Sequence, residues 1–382
     1  MTLPETTASY GLGSLSDVMP SAMALLGAEG ERDVLSLADQ VGEVEKVVVF
    51  LLDGFGALLW SRAGAAHRTF GEAAAGRLGT WRTITATSPS STPISLASLS
   101  TGLPPGQHGI LGFTGFDPAS GDPFAYIRWD EGPDPREWQP RPTCGERAAA
   151  AGLTYTIVSN GAYAHTPLTD AIYRGADWIE AATPEEVVAG VRAALARPGR
   201  GIVFAYLPEV DGAGHRFGTG SEQWLEAVAY VGTAVDGLCD ALPSDAALLV
   251  TADHGMVDVD DRLRVVERPA LLDGVQAVCG DGRVRYVHTV AGANPGDVAA
   301  AWRAAVGDRA TVLLRDEAIA TGWFGPVASE NRSRVGDVVV AAHDRFAITG
   351  VPSEPDRVDD LIGHHGGLTD LEMVVPLWSY RG

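Results

Sequence analysis

Short, continuous apolar runs recur along the chain at Lys46 to Asp53 (KVVVFLLD), Thr154 to Ser159 (TYTIVS), Gly201 to Leu207 (GIVFAYL) and Ala246 to Thr251 (AALLVT). Each is rich in β-branched residues and lacks polar alternation, which predicts strands covered on both faces. Between them the apolar positions step by three and four instead. Thr183-Pro184-Glu185-Glu186 carries a cap residue, proline at the first helical position and a glutamate three residues after the cap, predicting a helix to about Ala196. Trp224, Val228, Val231, Val235 and Leu238 fall on one face of a helix predicted over Ser221 to Leu242. Strands alternating with helices predict an α/β fold with a doubly wound, mainly parallel sheet, whose ligand crevice lies beyond the carboxyl ends of the strands.

From about Asp258 to Asp360 the texture changes. Strand patterns at Arg283 to Val290 and Gly336 to Ala342 flank a helical stretch from Pro295 to Val306, which predicts a small α+β insert capping the main sheet. The expected organisation is one domain over 1–382 with a cap insert over 258–360. No internal repeat or low-complexity tract is present.

Composition narrows the function. The chain has 382 residues, 46% hydrophobic and 20% charged, enough for a large buried core and incompatible with a disordered or fibrous protein. Its net charge of -21 repels a phosphate polymer, so nucleic acid is excluded as a partner by bulk charge. Cys144, Cys239 and Cys279 are widely spaced without a CxxC, indicating neither a disulfide framework nor a thiolate metal site. No basic segment followed by an apolar run opens the chain, and no stretch reaches the ~18 apolar residues of a membrane span. A cytoplasmic location without a membrane partner is the expectation.

The chemistry gathers where predicted strands run out. Asp53 ends the first strand, Asp211 and His215 follow GIVFAYL, Asp253 and His254 follow AALLVT, and His364 and His365 stand in a late GHHGG. Acids and imidazoles crowded at one sheet edge repel or stay poorly satisfied without a cation, and mixed Asp/His ligation suits zinc, with other divalent transition metals also compatible. The set is large enough for two ions, which can bracket a phosphoryl group. Singly, each residue has an ordinary reading: a strand-end Asp is more often a helix cap, and a DxxxH arises often by chance. The hydroxyl-rich turn Ser88-Pro89-Ser90-Ser91-Thr92-Pro93, leading into a helix, offers free backbone N–H groups to a phosphate, while a plain N-cap accounts for the same residues.

Taken in order, LLDGFG, TGLPPGQHGI, VTADHGM and HHGG resemble the alkaline phosphatase superfamily, in particular its type I phosphodiesterase/nucleotide pyrophosphatase branch. The resemblance spans most of the chain and implies an alkaline-phosphatase-like catalytic core. It implies Thr92 as nucleophile, forming a phospho-threonine, and two zinc ions: one held by Asp53, Thr92, Asp253 and His254, the other by Asp211, His215 and His365, with His364 ranked behind its neighbour. It further implies a small phosphoester substrate, nucleotides included.

One departure bears on the substrate. Relatives often carry an asparagine soon after the HGI segment, whereas here Ile110-Leu111-Gly112 leads to Phe113. Asn160 and Tyr163 are substitute polar contacts, and Phe55, Phe113, Trp129 and Trp323 are candidates to stack on or cover the substrate, Trp323 foremost, although turn and packing roles compete for each. The sulfatase branch is disfavoured because no CxPxR or SxPxR surrounds the nucleophile position. The leading expectation is a di-zinc phosphodiesterase or nucleotide pyrophosphatase. The same site acting on phosphomonoesters or phosphonates is an alternative, and a nucleotide-binding metal scaffold without turnover is another.

Overall fold

The computed structural model describes residues 5–129, 132–354 and 356–382. The Lys46–Leu52 strand is buried along its whole length and forms the centre of a seven-stranded sheet. It pairs in parallel with Gly201–Leu207 on one side and Ala246–Thr251 on the other. Beyond the former lie Thr154–Ser159 and Asp177–Glu180, both parallel; beyond the latter lie Val374–Arg381, antiparallel to both its neighbours, and Thr80–Thr85 at the edge. The fold is thus an α/β fold around a mostly parallel sheet. Val47 to Leu52 are fully buried, each side chain contributing roughly 1.5–3 kcal/mol on leaving water, which explains why this run is so uniformly apolar.

Register sets the site. Leu51 stands opposite both Tyr206 and Thr251. The chain after Leu52, after Leu207 and after Thr251 therefore emerges at one level of one edge, bringing Asp53, the Glu209–Phe217 helix and Asp253 together. The predicted helices form as Pro184–Leu195, with a complete capping box on Thr183 and Glu186, and Glu222–Ala241, capped by Ser221. They pack on each other, and the first also lies against Gly201–Leu207.

A second, six-stranded sheet runs in the order Ala310–Leu314, Val338–Ala342, Val284–Thr289, Val275–Gly280, Thr114–Phe116 and Pro123–Ala125. The helix Pro295–Val306 forms with the bounds predicted and buries Trp302 in a separate apolar core with Val287, Val338 and Ile348. Two of its strands come from outside 258–360. At three residues each they are too short to show alternation, and their pairing is set by partners far away in sequence. Arg283, in the turn between Val275–Gly280 and Val284–Thr289, makes a fully buried ion pair with Glu372, just ahead of the last strand of the main sheet. No described helix is long and apolar enough to cross a membrane.

Candidate active site

At the carboxyl edge of the main sheet two groups of acids and imidazoles stand side by side. In each of them, Asp53, Asp253 and His254 in one and Asp211, His215 and His365 in the other, one ligand atom per residue lies within 4.8 Å of the others.

The first group comes from two adjacent strand ends and is buried throughout. Asp253 Oδ1 accepts from the amides of Gly54 and His254, both at 3.0 Å, which turns Oδ2 to within 3.3 Å of His254 Nε2. Tyr206, at the end of the neighbouring strand, donates its hydroxyl to Asp53 Oδ2, leaving Oδ1 3.6 Å from His254 Nε2. The second group uses a helix and a loop. Asp211 and His215 are four residues apart on the Glu209–Phe217 helix and so share a face; His215 Nε2 is 3.4 Å from Asp211 Oδ2 and His365 Nε2 is 3.8 Å from Asp211 Oδ1. Gly54 fits the groups together. Its φ of +68° and the approach of Asp211 to 2.9 Å of where a Cβ would sit leave room for no other residue.

All three imidazoles are aimed the same way. Nδ1 of His215 faces the carbonyl of Gly363 at 2.7 Å, that of His254 the carbonyl of Gly255 at 3.0 Å, and that of His365 the carbonyl of Ser90 at 3.1 Å. With the proton donated from Nδ1 to the main chain, each Nε2 presents its lone pair inward, as in imidazoles that bind a metal. The rings of His254 and His365 stack at 3.7 Å and join the groups.

The donor set fits cations. Asp53 Oδ1, Asp211 Oδ1 and Asp253 Oδ2 are buried without a hydrogen-bond partner, a costly state for a carboxylate unless a cation sits between them. Burial, followed by the charges of Asp253 and Asp211, holds the Asp53 carboxyl well above its ordinary range, and burial raises Asp253 as well. Burial, then His254 and His215, keeps His365 neutral well below the usual histidine value. Carboxylates that resist ionising together and imidazoles held neutral are the pair of conditions a bound divalent ion relieves and uses.

Thr92 is the first residue of the Thr92–Thr101 helix, with Ser91 at the cap position making no side-chain capping bond. The Thr92 hydroxyl is instead 3.0 Å from His254 Nε2, against the first group. The helix is held in place because Ser95 Oγ donates to the carbonyl of Asp253 at 2.9 Å and meets Thr87 Oγ1 at 2.8 Å. Ser90 ties the turn to the late glycine loop: its hydroxyl donates to the carbonyl of Gly367 and accepts from the amide of Gly366.

A cavity of about 680 Å³ opens from the second group, lined by His215 and His365 together with Phe113, His364, Asp281 and residues of both sheets' loops. Phe113 thus stands on its wall, and His364 lines it beside, not within, the second group. Asn160 uses its side chain to accept from the amide of Ala162. Tyr163 lies 6.0 Å, ring to ring, from Tyr206, outside the cavity wall. Trp323 packs against the second sheet's core, its carbonyl accepting from Tyr10, also away from the cavity. Phe55 is packed among Trp60, Phe70 and Trp224, and Trp129 against Phe124 and Tyr126.

Sequence reasoning placed Ser90 in the hydroxyl-rich turn without a role of its own, and it missed Tyr206 and Asp281. A tyrosine at the end of GIVFAYL was the one legible signal, because a phenol in a buried strand needs a partner. Asp281, between Gly280 and Gly282, reads as a turn residue, and its Oδ1 does accept from the turn amides of Arg283 and Val284.

The family model for type I phosphodiesterase / nucleotide pyrophosphatase matches residues 47–368. No curated protein matches the sequence significantly. Among solved structures, murine ectonucleotide pyrophosphatase / phosphodiesterase 5 shares 20% identity over 88% of each chain with a TM-score of 0.69. An inactive variant of that mouse protein in complex with AMP shares 19% over 88% of each chain, TM-score 0.68. Phosphonoacetate hydrolase from Sinorhizobium meliloti 1021, in complex with phosphonoformate, shares 19% over 88% of this chain and 90% of that one, TM-score 0.67. At such identities these structures establish a common fold. Because the family model covers most of the sequence, the chain belongs to the type I phosphodiesterase/nucleotide pyrophosphatase family, within the alkaline phosphatase superfamily.

Proposed function

We propose that this protein is a metal-dependent hydrolase of small phosphodiesters or nucleotide pyrophosphates that works through a phospho-threonine at Thr92. The observation that carries the reading is the 3.0 Å contact between Thr92 Oγ1 and His254 Nε2, which sets a hydroxyl at a helix start against a group of unsatisfied carboxylates. Asp53, Asp253 and His254, with Thr92, would hold one ion, and Asp211, His215 and His365 a second; aspartate and histidine donors suit zinc or another divalent transition metal. Such ions supply charge neutralisation at the phosphoryl oxygens and lower the pKa of an alcohol or water nearby.

The chain's own residues then divide the work. Free amides and the dipole at the start of the Thr92–Thr101 helix favour the substrate phosphate. Thr92 attacks phosphorus as the bond to the departing oxygen breaks, giving a threonine phosphoester, and water later cleaves that ester and restores the hydroxyl.

The test is elemental analysis of the purified protein combined with turnover of bis-p-nitrophenyl phosphate and p-nitrophenyl phosphate. Roughly two divalent ions per chain and a preference for the diester are expected; metal-free, active protein or a strong monoester preference contradicts the reading. The position of Phe113 on the cavity wall, where it offers no hydrogen bond to a phosphate oxygen, favours a second reading with a monoester or phosphonate substrate. That reading gains if phosphonoacetate is cleaved faster than either ester.

A further inference from the structure

We infer that the cavity beside His215 and His365 binds a second negative charge on the substrate through Arg128 and Arg216, so that the preferred phosphoesters carry an anionic substituent. This rests on the function proposed above and adds a substrate class to it.

In a chain of net charge -21, arginines readily find carboxylates, as Arg264, Arg283, Arg285 and Arg315 do. Arg128 and Arg216 both line the cavity, and among the described residues neither makes an ion pair or a side-chain hydrogen bond. Of the acids on the same wall, Glu354 pairs with the buried Arg285, and Asp281 accepts from two turn amides on Oδ1 while its Oδ2 stays buried without a partner. The cavity wall therefore carries two exposed arginines with no acidic partner among the described residues, Arg216 directly following His215 in the chain. A guanidinium matches the paired oxygens of a carboxylate or phosphate, with hydrogen bonds stronger than neutral ones.

A second observation marks the cavity as a ligand site without fixing the ligand's charge. His364 lines the cavity with only 4% of its surface exposed, and its Nε2 is buried without a partner. A buried ring nitrogen left unmatched on a cavity wall is completed by a ligand atom or water. The cavity's size of about 680 Å³ lies within the roughly 300–1,000 Å³ typical of small-molecule sites, leaving space beyond the phosphoryl group for a substituent. Phe113, Ile127 and Leu361 supply apolar wall for its uncharged part.

The shared chemistry is an anion borne by the group attached to phosphorus, either a carboxylate or a further phosphate. The experiment compares kcat/KM for bis(4-carboxyphenyl) phosphate and for ATP, each divided by that for bis-p-nitrophenyl phosphate, at fixed ionic strength. The proteins are metal-replete wild type, Arg128→Ala, Arg216→Ala, the double variant and the double lysine variant. Arg136→Ala serves as control, since Arg136 makes no side-chain bond among the described residues and lines a different groove, with His165 and Tyr173.

At least one ratio should fall about 10-fold or more in the double alanine variant, recover in large part with lysine, and hold in Arg136→Ala. The arm that falls identifies the anion as carboxylate or phosphate. Unchanged ratios in the double alanine variant overturn the inference, as does an equal fall in Arg136→Ala, which would mean long-range attraction instead of a binding site. Absence of turnover on all three substrates would overturn the hydrolase reading and this inference with it, an outcome distinct from turnover with unchanged ratios.

Discussion

The two acid and imidazole groups use the same residue types but are built differently. Asp53, Asp253 and His254 sit at the ends of paired central strands, closed off from solvent, with Thr92 against them. Asp211, His215 and His365 come from a helix and a loop, and the last two face an open cavity. Sheet register fixes the first group, whereas the second depends on a helix face and on a loop clamped through Glu372. Under the proposed function, attack would fall to the buried half and substrate accommodation to the open half.

Substitutions break that comparison in order of expected size. Thr92→Ala should lower kcat by about 10³-fold or more while leaving metal content and thermal midpoint intact; full activity would remove the attacking group from the buried half. Glu372→Gln should act on the other half. Glu372 accepts from Arg283, from the amides of Gly367 and Thr369 and from the Thr369 hydroxyl, so it clamps the loop bearing His365 to the second sheet. Removing its charge strands a buried guanidinium, at a cost of about 3–5 kcal/mol of stability, and should weaken the second metal site before the first in a chelator titration.

Asp253→Asn and Asp211→Asn sharpen the contrast further. Each should remove one of two bound ions and cost roughly 10²-fold in kcat/KM. In metal-free protein, however, Asp253→Asn should raise the thermal midpoint by a few degrees, because it removes a buried charge that presses on Asp53; the more open Asp211 should give a smaller rise. Equal rises would mean that the two halves do not differ in burial when metal is absent.

The smallest expected effect concerns the support under Thr92. His108 is buried, donates from Nε2 to Ser98 Oγ on the Thr92–Thr101 helix and accepts the Ile110 amide on Nδ1. Burial, then the charge of Arg334, pushes it down to about 3. In the unfolded chain the ring titrates near 6.5, so below that pH the unfolded state binds the extra proton. The stability due to neutral His108 is complete above pH 6.5 and is lost as pH falls toward 3. His108→Gln should therefore flatten the fall of unfolding free energy between pH 6.5 and 4.5, by at most about 1.4 kcal/mol per pH unit; an unchanged slope refutes the assignment.

Much of this was legible because both signals are local. KVVVFLLD and AALLVT declare buried strands whatever surrounds them, and an acid after each is then placed at the sheet edge by pairing alone. The Pro295–Val306 helix likewise carries its own start signal, Asn294 ahead of Pro295. The strands Thr114–Phe116 and Pro123–Ala125 were not legible, since neighbours distant in sequence create them. Asp53 and His254 could be nominated from their strand ends, yet Arg128 and Arg216 could not: they stand out only because no acid among the described residues pairs with them, a fact of spatial neighbourhood.

The main-chain carbonyls of Gly255, Gly363 and Ser90 that orient the three imidazoles belong to no side chain, so no single replacement can delete them. The aim of the reactive centre is thereby uncoupled from the identity of the residues around its mouth. An engineer wishing to retarget this scaffold to a new leaving group can vary positions 113, 127 and 128 combinatorially and expect the imidazoles to keep their bearing.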